Sequence, residues 1–204
     1  MCFYTQQTKS AIQVENRFNA TIQDKAAFES QQRINGFTFP KTPVITNKKP
    51  TIIQHFNWGL IPFWAQDDSI KKYTLNAKIE TLHQKPSFKN IYNNRCLIPA
   101  DGFFEWQWLD IKGKKKQAFL ITLPNYELFS FAGIWSEWLD KNTGELINTY
   151  SIITTEANEF MAEIHNSKKR MPVILNEKNE LNWLHADPIE NFKTVDIELT
   201  AQII

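Results

Sequence analysis

Hydrophobic residues recur at three- and four-residue intervals near the N-terminus. Ala11, Val14, Phe18 and Ile22 share one face, which predicts a helix over residues 9–22. Residues 40–50, with Pro40, Pro43, Pro50 and several lysines, read as loop and edge structure. β-Forming residues then predict a strand over 51–58, which runs into Trp58-Gly59-Leu60-Ile61-Pro62-Phe63-Trp64, where Gly59 and Pro62 interrupt regular structure. Residues 87–94 predict a helix capped by Ser87, with Phe88, Ile91 and Tyr92 on one face. A β-rich middle follows, with strands expected at 96–98, 103–109, 118–123, 128–135 and 149–153. A helix to Ile164 is expected to open at Thr154, with Phe160 and Ile164 inward. Another is expected over 176–185, with Leu181 and Leu184 inward, and residues 194–203 can close as a strand. No internal repeat is visible. This mixed order predicts an α+β fold, a mainly antiparallel, barrel-like sheet with flanking helices, in one domain over residues 1–204.

Composition narrows the function classes. Hydrophobic content of 42% and charged content of 22% suit a soluble globular protein with a real core. No apolar run reaches the roughly 18 residues that span a membrane. The first residues lack the basic-then-apolar pattern of a secretion signal, so a cytoplasmic location is the default. Two cysteines far apart do not make a disulfide scaffold. A net charge of +1 gives no global case for nucleic-acid binding, so such contact would need a local patch. Most of the seven Trp, five Tyr and fifteen Phe must be core, but that supply also suits a surface on which unpaired bases stack.

Cys2 directly follows Met1. Removal of the methionine would give residue 2 two adjacent nucleophiles, a thiol and an α-amine. Their ordinary pKa values of about 8.5 and 7.7–8.0 leave both partly deprotonated near neutral pH. Such a 1,2-aminothiol reacts with an aldehyde to form an imine and then a thiazolidine ring. Glu105 lies in the aromatic run Phe103-Phe104-Glu105-Trp106-Gln107-Trp108. A carboxylate enclosed by aromatics is costly to keep ionised, which suits a general acid–base; the alternative is a solvated rim position. His165 ends a helix before Lys168-Lys169-Arg170, where it serves either chemistry or as a routine C-terminal cap. Asn76 can orient a polar group through its amide or simply make a turn. The lysines at 112 and 114–116 mark a hairpin tip, a feature that is commonly just solvated. No Cys-x-x-Cys, His-Glu-x-x-His, glycine-rich phosphate loop or Gly-x-Ser-x-Gly motif is present, so neither metal nor cofactor is expected.

Taken together, five segments resemble the SRAP family, the SOS-response-associated peptidases understood as abasic-site processing proteins. They are Met1-Cys2, residues 58–64, Asn76-Ala77-Lys78-Ile79-Glu80-Thr81, residues 95–106, and Ile164-His165 through Arg170-Met171-Pro172-Val173-Ile174-Leu175. Their order matches the family and they cover nearly the whole chain. The resemblance implies covalent capture of abasic sites in single-stranded DNA, with Cys2 forming a thiazolidine crosslink and first removing its own Met1. It implies proton handling by Glu105 and His165, with Asn76 holding the terminus and sugar. Lys78 and Arg170 match phosphate-gripping positions, and Trp64 matches a base-stacking one. A monomer is implied, cytoplasmic and associated with the nucleoid when on DNA, with single-stranded abasic DNA as its partner. A peptidase acting in trans and a noncatalytic single-strand binder are the alternatives.

The chain departs from the family pattern at three places. Phe3-Tyr4 stand where Gly-Arg is usual, and Lys78 replaces an arginine, keeping charge but losing the bidentate fork. Asn166-Ser167-Lys168-Lys169 separate His165 from Arg170 where one residue is usual, so Lys168 or Lys169 can stand in for Arg170 at a phosphate.

Overall fold

A computed structural model describes residues 2–194 and 196–204. The expected removal of Met1 therefore falls on a residue outside the described ones. Among the described residues, the order is β1 (Tyr4–Gln7), α1 (Ala11–Phe18), β2 (Thr21–Ile22), β3 (Gln31–Asn35), β4 (Lys41–Thr46) and β5 (Lys49–Trp58). Next come β6 (Asn76–Lys78), β7 (Arg95–Ala100), β8 (Gly102–Trp108), β9 (Lys116–Thr122), β10 (Phe129–Leu139) and β11 (Leu146–Glu156). The chain ends with α2 (Glu159–Ile164), β12 (Arg170–Pro172), β13 (Ile174–Leu175), α3 (Glu177–Leu184) and β14 (Thr200–Ile203).

The architecture is α+β and barrel-based, as the pattern predicts. Strands β11, β10, β7, β4 and β5 lie side by side, and β5 returns to pair in parallel with β11 through Asn57–Thr149 and Trp58–Tyr150. That pairing closes a five-stranded barrel and removes its edges. A second sheet in the order β14-β9-β8-β1-β3 is antiparallel. The core is one large cluster that includes Val44, Ile53, Phe131, Ile134 and Ile152. The chain packs closely where β7 meets β10. A Cβ on Gly133 would lie 2.3 Å from Ile98 Cδ1 and 2.8 Å from Cys96 Sγ.

Several elements differ from the pattern's prediction. The first helix stops at Phe18 because Asn19 turns left-handed (φ 47°), and Thr21–Ile22 then pairs with β5. The proline stretch is not loop: β4 is a barrel strand. Pro43 is tolerated because β7 pairs with β4 only at Ile45 and Thr46, so the missing N–H has no ladder position to fill. Residues 87–94 form successive turns rather than a helix, with Phe88, Ile91 and Asn94 N–H groups reaching carbonyls three residues back. Phe88 and Ile91 are buried there all the same.

The expected helix from Thr154 is strand as far as Glu156. Helix α2 starts only where the Asn158 side chain accepts from Met161 N–H. It buries Met161 and Ile164 and leaves Phe160 exposed. Helix α3 begins at the Asn176 cap and buries Glu180, Trp183 and Leu184, so Leu181 faces outward. The rotation is fixed by Glu180, which accepts from Arg17 (3.0 and 2.9 Å) and Ser130 (2.9 Å). Trp183 Nε1 donates to the carbonyls of Cys96 and Gly133, tying α3 to the barrel.

Candidate active site

Cys2 lies just before β1, the strand held between β3 and β8. It is fully buried. Its carbonyl accepts from Asn76 Nδ2 at 2.9 Å, and the Asn76 side chain is delivered by β6, which pairs in parallel with β11. The terminus therefore bridges the second sheet and the barrel sheet. Asn76 Oδ1 is buried and has no hydrogen-bond partner among the described residues, leaving an acceptor at this spot. Burial pushes the Cys2 thiol well above its ordinary value, and the charge of Glu105 adds to the rise. The thiol is neutral around pH 7.

Glu105 sits on β8, whose register places Tyr4 opposite Phe104. It is 3% exposed. His165 caps α2 and its Nε2 stands 3.9 Å from Glu105 Oε2. That distance is too long for a direct hydrogen bond between these two atoms but lies within ion-pair range when the ring is protonated. The other ring nitrogen fixes the tautomer. His165 Nδ1 lies 2.6 Å from Arg170 O and 3.3 Å from Arg170 N, and the shorter contact makes Nδ1–H the donor to the carbonyl. Nε2 is then the acceptor on the Glu105 side. Burial lowers the imidazole below its usual pKa, outweighing the opposite pull of Glu105. Gln107 Nε2 donates to Glu163 O (2.9 Å), and Asn166 exchanges hydrogen bonds with the Trp108 backbone. These bonds pin the end of α2 against β8 and so set the Glu105–His165 separation.

The structure thus brings Cys2, Asn76, Glu105 and His165 together. The cations are distributed differently. Lys78 is exposed and lines a groove of about 580 Å³ with Phe3, Tyr73, Asn76, Lys85 and Phe88. Arg170 is 8% exposed. Its guanidinium makes a bidentate pair with Glu80 (2.7 and 3.0 Å) and donates to Thr154 O (2.7 Å). Lys168 and Lys169 are exposed in the loop before it. Trp64 and Phe63 are exposed as well, at 44% and 57%. A larger cleft of about 710 Å³ opens elsewhere, around Arg17, Tyr126 and Leu175, and includes none of the four clustered residues. Chemistry, not size, singles out the Cys2 site.

Sequence reasoning assigned no role to Glu80 or to the groove side chains Phe3, Tyr73 and Lys85. Glu80 stands inside the quoted segment 76–81, two residues beyond Lys78, but its partner lies 90 positions away. Burial would raise its carboxyl, yet the Arg170 hydrogen bond, a backbone hydrogen bond and the charges of Arg170 and Lys78 together outweigh that and hold it below the usual carboxylate range. Among the described residues no group of three or more His, Cys, Asp or Glu is arranged to hold a metal ion, and no helix is long and apolar enough to cross a membrane.

Residues 1–201 match the family described as SOS response associated peptidase (SRAP). The chain is 47% identical over 129 residues to the abasic site processing protein YoqW of Bacillus subtilis, which covers 63% of this chain and 55% of that protein. It is 32% identical over 157 residues to the abasic site processing protein HMCES of Gallus gallus, covering 65% and 45%. The chain thus spans about half the length of these curated relatives. A crystal structure of a Bacteroides thetaiotaomicron protein superposes with a TM-score of 0.90 at 37% identity, over all of this chain and 92% of that one. A Bordetella bronchiseptica protein shares the fold, with a TM-score of 0.82 at 24% identity. With a family match along nearly its whole length, the chain belongs to the SRAP family.

Proposed function

We propose that this chain processes abasic sites in single-stranded DNA by forming a covalent thiazolidine adduct at Cys2 once Met1 is removed. The observation that carries this reading is the burial of Cys2 in one cluster with Asn76, Glu105 and His165. The names of the relatives, abasic site processing proteins, support the substrate class.

The ring-opened abasic sugar presents an aldehyde. The α-amine of Cys2 adds to its carbon, the carbinolamine loses water, and an imine results. The sulfur then adds to the imine carbon while the thiol proton passes to nitrogen, closing the ring. The neutral thiol favours this order, because the amine is the better nucleophile until the imine forms. His165 Nε2 accepts a proton during addition, and Glu105 relays protons to the departing hydroxyl. Asn76 holds the Cys2 carbonyl, so the two nucleophiles keep their direction. Lys78 and Lys168 are exposed and available to phosphate, and Trp64 to a flanking base. Arg170 pairs with Glu80, its carbonyl holds the His165 tautomer, and contact with a phosphate beside the lesion stays part of the proposal for it. Removal of Met1 by the same cysteine is part of the proposal.

Incubation with an abasic single-stranded oligonucleotide followed by a denaturing gel tests the reading. Wild-type protein gives a heat-resistant shifted band and Cys2→Ala gives none. A shift that disappears on denaturation would instead indicate a noncovalent binder, and cleavage of an added peptide a peptidase acting in trans.

A further inference from the structure

The hairpin between β8 and β9 and the loop between α2 and β12 converge into one basic lobe. Asn166 makes a reciprocal pair with Trp108, accepting from its N–H (3.0 Å) and donating to its carbonyl (2.9 Å). This docks the loop against the base of the hairpin, three residues beyond Glu105 and one beyond His165. The hairpin tip is shaped by Asp110, whose carboxylate accepts from the backbone N–H groups of Lys112, Lys114 and Lys115. Gly113 closes the turn at φ 63°, where a Cβ would lie 2.6 Å from the Trp108 ring. The one carboxylate at the tip is thus turned inward to the backbone. Lys112, Lys114, Lys115 and Lys116 from the hairpin, and Lys168 and Lys169 from the loop, are all exposed. None of the six takes part in an ion pair among the described residues.

In a chain of net charge +1, this concentration is local. Lysines on a single hairpin tip are ordinary solvated residues. Two separate segments locked together so that six like charges face outward is a different situation, because self-repulsion opposes it. A polyanion relieves that repulsion.

We propose that this lobe is a phosphate-binding surface for the nucleic-acid strand that enters or leaves the Cys2 site, a surface distinct from the groove of Lys78. The proposal rests on the DNA-processing reading above, since it takes its ligand from it. The lobe holds backbone and reads no base, so it acts on intact and damaged strands alike.

The test is equilibrium binding of a fluorescein-labelled, undamaged single-stranded oligonucleotide by the full chain, measured across a salt series. The variant replaces Lys112, Lys114, Lys115, Lys168 and Lys169 with glutamine, and a control replaces the same five with arginine. The glutamine variant is expected to bind at least about tenfold more weakly at low salt. Its dependence of log affinity on log salt should flatten by about 0.7 for each phosphate that is no longer neutralised. The arginine control should keep both, which separates charge from folding. Wild-type affinity and slope in the glutamine variant would overturn the proposal, as would wild-type protein that binds no oligonucleotide. The adduct reading fails separately, if wild-type protein gives no Cys2 adduct while the lysine-dependent slope persists.

Discussion

His165 is held in one tautomer by its neighbours, as the proposed proton transfer requires. Its Nδ1–H is spent on the Arg170 carbonyl, so the basic nitrogen faces Glu105. Burial keeps that ring neutral at pH values where a free imidazole, with its pKa of about 6.5, would be half charged. Replacing it by alanine should slow adduct formation by about a hundredfold, the low end of general acid–base contributions. The ratio of wild-type to His165→Ala rates should hold steady as pH falls through 6.5 and collapse only below it, since the amine's own titration cancels in the ratio. A ratio that falls at 6.5 or above would mean an imidazole open to water. Glu105→Gln should slow the same step by a similar factor with an unchanged melting temperature, read on a quenched gel time course.

Among the elements, two joints hold the site's surroundings in register. One is the Arg170–Glu80 pair, which clips β12 to the turn after β6. Because the Glu80 carboxyl is held below its ordinary value of 4.5, its contribution is complete above that value and is lost as pH falls through the lowered one. Urea unfolding should find Glu80→Gln less stable than wild type by about 2 kcal/mol at pH 7, less than a fully buried pair because Glu80 is partly solvated. The gap should narrow in acid below that range. The other joint is the contact of β7 with β10 at Gly133. Gly133→Ala forces Ile98 and Cys96 aside, an overpacking worth about 1–3 kcal/mol. A drop in Tm of about 3–10 °C is expected in a thermal melt.

For the whole molecule, the sequence reveals much of the site and less of its setting. Cys2, Glu105 and His165 are legible because each has unusual chemistry in its immediate neighbourhood: a terminus, an aromatic run, a helix end. Strands β5, β7, β8 and β10 are legible from alternation and turn residues. Strand β4 is hidden because Pro43 argues against a barrel strand, and only its partial pairing with β7 makes the proline harmless. The burial of Arg170 is hidden because Glu80 comes from a distant segment. The outward turn of Leu181 follows from Glu180 meeting Arg17, which helical periodicity alone does not contain.

The position of β1 carries a mechanical consequence. It is an interior strand, laddered to β8 on one side and β3 on the other, so residue 2 is moored to the middle of a sheet and not to its margin. A load applied at residue 2 is therefore carried by two rows of hydrogen bonds, where a margin strand would offer one. Both ladders would have to part before residue 2 could leave its place in the fold.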